Sequence, residues 1–397
     1  RRIYLDYAST TPLDPRVEEA MRPFLRERFG NPSSIHAEGV AAKKALDAAH
    51  TSAALSLEAH AEEVVFTSGG TEANNLAILG TFFRFNLKSF RLNLKKLHVV
   101  TTNIEHSSML EPLRELERLG RAEVTYVPVE SNGIVKPEKI IAAIKPSTVL
   151  VSVMYANNEI GTIQPIRKIG QLLSDVKSQK SKVKGRNEKA YPLFHSDACQ
   201  APLYLRCLVN ALGVDLLTLD GHKMYGPKGV GCLYVRRGTR ITPQLFGGGQ
   251  ERGLRSTTEN VPGIVGFAEA LRIAVAERES ESVRLKKLRD HLYFLIRANK
   301  QIDGMLITNG DMSERLPNNL NISLPGVNTE MLTLQLDAAG IACSTKSSCL
   351  KDERESYVVR ALTGDKSRAA STLRFTLGRY TTKKEIEYAA NTIARLL

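Results

Sequence analysis

Short apolar runs recur through the first two-thirds of the chain, at Val64–Phe66, Leu97–Thr101, Val124–Val129, Val149–Met154, Tyr191–Phe194 and Val214–Leu219. Each reads as a strand, with helical or loop segments between them. Runs this uniformly apolar predict strands covered on both faces, so the alternation points to a mostly parallel sheet wrapped by helices. Val17, Met21, Phe24 and Leu25 fall at helical spacing behind Asp14-Pro15, a cap followed by proline at the first helical position. After Val261-Pro262-Gly263 the texture changes. Ile264–Lys300 reads as one long helix, followed by short strands such as Asn319–Leu324 and Thr372–Thr376, so a second, smaller α+β domain is expected to start near residue 263.

Composition alters this picture little. The 397 residues are 42% hydrophobic and 24% charged, enough for two domains, and no run approaches the length of a membrane span. The opening Arg1-Arg2-Ile3-Tyr4 has no signal-peptide core, and its lack of Met leaves room for a removed leader. Five cysteines without regular spacing argue against a disulfide framework and for a reducing cytoplasm. Much of the +13 net charge sits in 84–96 and 177–189. The second stretch reads as a solvated loop; such runs can recruit an acidic protein or RNA but mostly confer solubility, and no direct nucleic-acid or membrane binding is expected.

The chemistry gathers at strand ends. Asp197 follows one strand and Lys223, in Asp220-Gly221-His222-Lys223, follows another. A lysine there is often a solvated loop residue; it can also form a Schiff base, and a carboxylate can hold a pyridinium proton, the two groups that pyridoxal phosphate needs most. A third strand leads into Gly69-Gly70-Thr71-Glu72, where glycines and a helix N-terminus suit an anion. No Gly-Lys-Ser/Thr follows, so this is not a P-loop, and an ordinary Gly-rich turn would read alike.

Over nearly its whole length the chain resembles cysteine desulfurases of the NifS/IscS type, in the class V aminotransferase superfamily. The likeness is carried by Asp6-Tyr7-Ala8-Ser9-Thr10-Thr11-Pro12, Gly30-Asn31-Pro32-Ser33-Ser34, Thr67-Ser68-Gly69-Gly70-Thr71-Glu72, Glu105-His106, Asn157-Asn158-Glu159-Ile160-Gly161, Asp197-Ala198-Cys199-Gln200, Gly221-His222-Lys223, Gly247-Gly248-Gly249-Gln250 and Leu373-Arg374-Phe375. It implies a PLP-dependent transferase of fold type I, with a seven-stranded sheet. Residues 15–262 would form the large domain, and 1–14 with 263–397 the small one.

The resemblance also implies roles. Lys223 carries the cofactor and moves the substrate proton, in preference to Lys228; Asp197 bonds the ring nitrogen, Gln200 approaches the phenolic oxygen and His106 stacks on the ring. Gly70, Thr71 and His222 take the phosphate, and Thr258 reaches it from the other subunit of a homodimer. Asn157, also beside the cofactor, pairs with Arg374 on the substrate carboxylate. The family carries serine where this chain has Asp220, and a carboxylate there repels a phosphate. Cys349, near Lys346 and Lys351 in a polar segment, is the expected nucleophile. Cys343, after Gly340-Ile341-Ala342, reads as a buried small hydrophobe; Cys199, Cys207 and Cys232 read as structural.

The implied reaction converts L-cysteine to L-alanine, leaving sulfur as a persulfide on Cys349. The sulfur then passes to an iron–sulfur scaffold or a tRNA-thiolation protein. No metal site is expected, beyond Cys349 ligating a transferred cluster. The charged Lys351–Ser356 stretch lacks the family's usual proline, so loop reach can differ. A selenocysteine lyase or an aminotransferase would not need the exposed thiol, and a low-activity sulfur-transfer scaffold would keep the fold with little turnover.

Overall fold

The computed structural model describes residues 2–89, 96–184, 192–346 and 355–397. Cys349 and Lys351 lie outside the described residues. Seven strands form one sheet, in the spatial order Val64–Thr67, Gly231–Val235, Leu216–Asp220, Leu193–Asp197, Thr148–Ser152, Leu97–Thr102, Ala122–Val127. From Leu216–Asp220 to Ala122–Val127 neighbours run parallel; Gly231–Val235 is antiparallel to both strands beside it.

Successive side chains of each strand go to opposite faces, and both faces are buried. Val64 and Phe66 join one core with Val100, Val151, Phe194 and Leu217, while Val65 joins a second with Val99, Leu150, Leu193 and Leu216. A third core, with Leu320, Ile322, Leu373 and Phe375, belongs to an antiparallel sheet of Ile307–Thr308, Asn319–Ser323 and Thr372–Thr376.

Two expectations need amending. The long helix spans Val261–Ala298, capped where Asn260 accepts from the Gly263 N–H. It packs into two cores, with Phe267 and Leu271 in the large-sheet core and Leu285, Leu292 and Ile296 in the small-sheet core. The basic stretch read as a loop from 177 continues the helix Ile166–Lys184. Lysine and glutamine are good helix formers, so charge alone does not mark a loop. Lys177 pairs with Asp215 at 2.7 Å. Phe90–Lys95 and Gly185–Tyr191 lie outside the described residues.

Topology gathers the site. The carboxyl ends of the central parallel strands lie side by side, where open α/β sheets place their ligands. The N-terminal strand Ile3–Tyr4 pairs with Ile341–Ala342, and the chain then crosses this edge, the Thr11 N–H donating to the His222 carbonyl at 3.0 Å.

Candidate active site

A cavity of about 200 Å³ opens at that edge, lined by Gly70, Thr71, His106, Asp197, Gln200, His222, Lys223 and Arg374, among others. Eight residues singled out from separate stretches of sequence thus share one space. Asp197 and Asp220 each end a strand, Lys223 closes the short 3-10 turn Gly221–Lys223, and His106 caps the helix Ser107–Arg118.

Asp197 is buried and fixed from two sides. Its Oδ2 accepts from Asn74 Nδ2 at 2.8 Å and its Oδ1 from the Cys199 N–H at 3.0 Å. Asn74 also donates to Ser108 Oγ at 2.8 Å, and Ser108 Oγ lies 2.8 Å from His106 Nδ1. A chain of polar contacts therefore locks the carboxylate and the imidazole together. Neither Asn74 nor Ser108 was singled out in the sequence; the only signal was their place in the first turns of their helices, Asn74 four residues after Gly70 and Ser108 directly after Ser107.

Lys223 Nζ donates to the carbonyls of Ala8 and Ser9 at 2.8 and 2.7 Å. Gln200 Nε2 donates to the Ala8 carbonyl at 3.0 Å. The N-terminal segment thus orients the amine and the amide, a role the sequence motif did not disclose.

Arg374 is 1% exposed. Its Nη1 donates to the Asn158 carbonyl at 2.9 Å, and its Nη2 to Asp6 Oδ1 at 2.8 Å and Ser9 Oγ at 2.9 Å. Arg374 Nε and Asn158 Oδ1 are buried without a hydrogen-bond partner. Both residues line the cavity, so these two atoms have hydrogen-bonding capacity left beside it. Asn157 does not line the cavity. Its Oδ1 accepts from the N–H groups of Glu159 and Ile160, and its Nδ2 donates to the Ile104 carbonyl at 2.9 Å. The structure therefore brings Asn158, not Asn157, to the cavity beside Arg374.

The turn expected to cradle an anion begins where Gly69, at φ 152°, leads into the helix Gly70–Ser89. Gly231 permits the close approach of this turn, because a Cβ there would lie 2.7 Å from the Gly69 backbone. Thr258 is exposed and outside the cavity of its own chain.

Of the cysteines, Cys199 lines the cavity, and burial, then the charge of Asp197, pushes its thiol far above the usual range. Burial pushes Cys343 up to about 12 and Cys207 likewise. These thiols are therefore poor nucleophiles. Among the described residues no His, Cys, Asp and Glu cluster could hold a metal ion, and no helix is long and apolar enough to cross a membrane.

Glu105, fully buried between Thr102 Oγ1 at 2.6 Å and the Met154 N–H at 3.0 Å, has its carboxyl raised to about 8, chiefly by burial. His195, beneath Asp197, is held between Ser152 Oγ at 2.8 Å and Thr218 Oγ1 at 3.0 Å, and burial lowers it to about 4, so it stays neutral.

Residues 3–389 match the aminotransferase class-V family. The chain is 43% identical over 399 residues to a cysteine desulfurase IscS of Dictyoglomus turgidum, covering all of this chain and 95% of that one. It is also 43% identical to a mitochondrial cysteine desulfurase of Arthroderma benhamiae, covering 99% of this chain and 74% of the relative. Among solved structures, a NifS-like protein superposes with a TM-score of 0.87 at 36% identity, covering 100% of this chain and 99% of the other. SspA in complex with cysteine superposes with a TM-score of 0.77 at 32% identity, covering 96% of this chain and all of the other. The lysine and aspartate at neighbouring strand ends, the cradle beside them and a match along almost the whole chain lead to one conclusion: this chain belongs to the aminotransferase class-V family.

Proposed function

We propose that the chain is a cysteine desulfurase that uses pyridoxal 5'-phosphate, taking sulfur from L-cysteine and releasing L-alanine. The observation that carries this reading is the convergence of Lys223, Asp197 and the buried Arg374 on one cavity. The residues fit the cofactor: an amine and a fixed carboxylate face the same space, and a helix N-terminus with Thr71 closes one end. Bound there, the cofactor withdraws electrons from the substrate Cα.

The chain's own groups do the rest. Asp197 keeps a proton on the ring nitrogen, and its bonds to Asn74 and Cys199 fix its direction. Gln200 approaches the phenolic oxygen, His106 covers the ring face, and Gly70, Thr71 and His222 hold the phosphate. Arg374 orients the substrate through its carboxylate, with Asn158 beside it. Lys223 Nζ takes the proton from the substrate Cα. The Cys349 thiolate attacks the substrate sulfur; the Cβ–S bond breaks with its electron pair left on carbon, Cβ takes a proton, and sulfur remains on Cys349 as a persulfide.

The same reading makes the enzyme a homodimer in which Thr258 serves the neighbouring subunit; its exposure supports this. The sulfur acceptor is an iron–sulfur scaffold or a tRNA-thiolation protein, and residence in the cytoplasm is supported by the bacterial relatives. Equal yields of alanine and sulfide from L-cysteine in the presence of a dithiol reductant, which releases the persulfide sulfur as sulfide, abolished by Cys349→Ser while the visible cofactor band stays, test the function. Alanine without any sulfur transfer to protein or acceptor would overturn it.

A further inference from the structure

Gly70 opens the helix of the anion cradle, and its N–H is already engaged. It donates to Asp220 Oδ2 at 2.7 Å. The same oxygen lies 3.5 Å from His222 Nε2, and Asp220 Oδ1 accepts from the His222 N–H at 3.4 Å. Of the three residues expected on the cofactor phosphate, two therefore hold a carboxylate of the chain itself.

The arrangement is built into the fold. Asp220 is 8% exposed at the end of its strand. Residue 70 has to be small to admit it, since a Cβ there would lie 3.1 Å from Asp220 Oδ2 and 2.7 Å from Cys199 Sγ. Burial raises the carboxyl, but bonds from His222 and Gly70 and the nearby Lys223 outweigh it and hold Asp220 below the usual carboxylate range. It meets the phosphate as an anion.

We propose that Asp220 is an internal competitor for the cofactor phosphate, which must displace its carboxylate from the Gly70 N–H. One N–H cannot serve two anions at full strength, and two negative groups this close repel. The phosphate then adds little affinity, and the cofactor exchanges readily. The inference rests on the reading of this cavity as a pyridoxal phosphate site.

The test compares pyridoxal phosphate with pyridoxal, which lacks the phosphate, on the cofactor-stripped protein. Dissociation constants are measured by absorbance, and borohydride trapping with peptide mapping locates each ligand. Asp220→Ser is expected to tighten pyridoxal phosphate by about tenfold or more and pyridoxal by less than about threefold. Asp220→Asn, which keeps shape and an acceptor for Gly70 but removes the charge, should fall between. Pyridoxal phosphate that binds both variants no better than the parent, or a gain equal for both ligands, would overturn the competition while leaving the cofactor reading intact. If neither ligand is trapped on Lys223 in any of the three proteins, the cofactor reading falls and the inference with it.

Discussion

Arg374, on the last strand of the small sheet, and Asp6, on the N-terminal segment, meet at 2.8 Å with Arg374 almost wholly buried. The pair fixes one arm of the guanidinium fork by an interaction within the protein. The unpartnered Nε leaves donor capacity for a substrate carboxylate.

Arg374→Lys keeps the charge and loses the fork. The KM for L-cysteine is expected to rise about 10- to 100-fold, the range for losing a charge-assisted hydrogen bond. Asp6→Asn should raise it by much less, because only the orientation of the arginine is loosened. Steady-state kinetics on the two variants check this; an unchanged KM in Arg374→Lys would remove the residue from the substrate site.

Lys223→Ala should abolish the visible band of the lysine-bound cofactor, and Lys228→Ala should retain it. Lys223 Nζ lines the cavity, while Lys228 is exposed in the turn after Pro227. Loss of the band in Lys228→Ala alone would reverse the assignment.

After a single turnover with cysteine, peptide mass mapping should find the additional sulfur on Cys349 and none on Cys343. Burial holds the Cys343 thiol near 12, so its thiolate is scarce at neutral pH. Sulfur mainly on Cys343 would identify a different nucleophile.

Co-expression of Lys223→Ala with Thr258→Ala should restore activity above either parent if each site draws on both subunits. No gain in the mixed population would count against a shared site.

Glu105 makes a prediction about pH. Its folded pKa, about 8, lies above the ordinary carboxylate value, so the folded state binds the extra proton. Its contribution to stability is full below the ordinary value and is lost as pH rises toward 8. The melting temperature of the parent should therefore fall more steeply between pH 5 and 8, roughly the span between those two values, than that of Glu105→Gln. Parallel melting curves would show that Glu105 does not titrate as described.

The apolar runs made the large sheet legible, because strands buried on both faces need little polar punctuation. The convergence of Lys223, Asp197 and Gly70-Thr71 on one cavity was legible because the strand ends of an open α/β sheet lie side by side. What the sequence hid were contacts across long separations. Asn74 meets Asp197 across 123 positions, and Lys223 meets Ala8 across 215. Neither leaves a periodic trace. Two adjacent asparagines differ only in which one the turn consumes, which the sequence does not tell; here Asn157 closes the turn and Asn158 lines the cavity. The basic segment misled for a different cause, since composition reports solvation and not backbone conformation.

The helix Val261–Ala298 crosses from one hydrophobic core to the other without interruption. Severing the chain near Gly263 would leave the N-terminal fragment without Phe267 and Leu271, and would leave those residues stranded on the C-terminal fragment. The one helix ties the two cores together, so heat is expected to melt both regions in a single cooperative step.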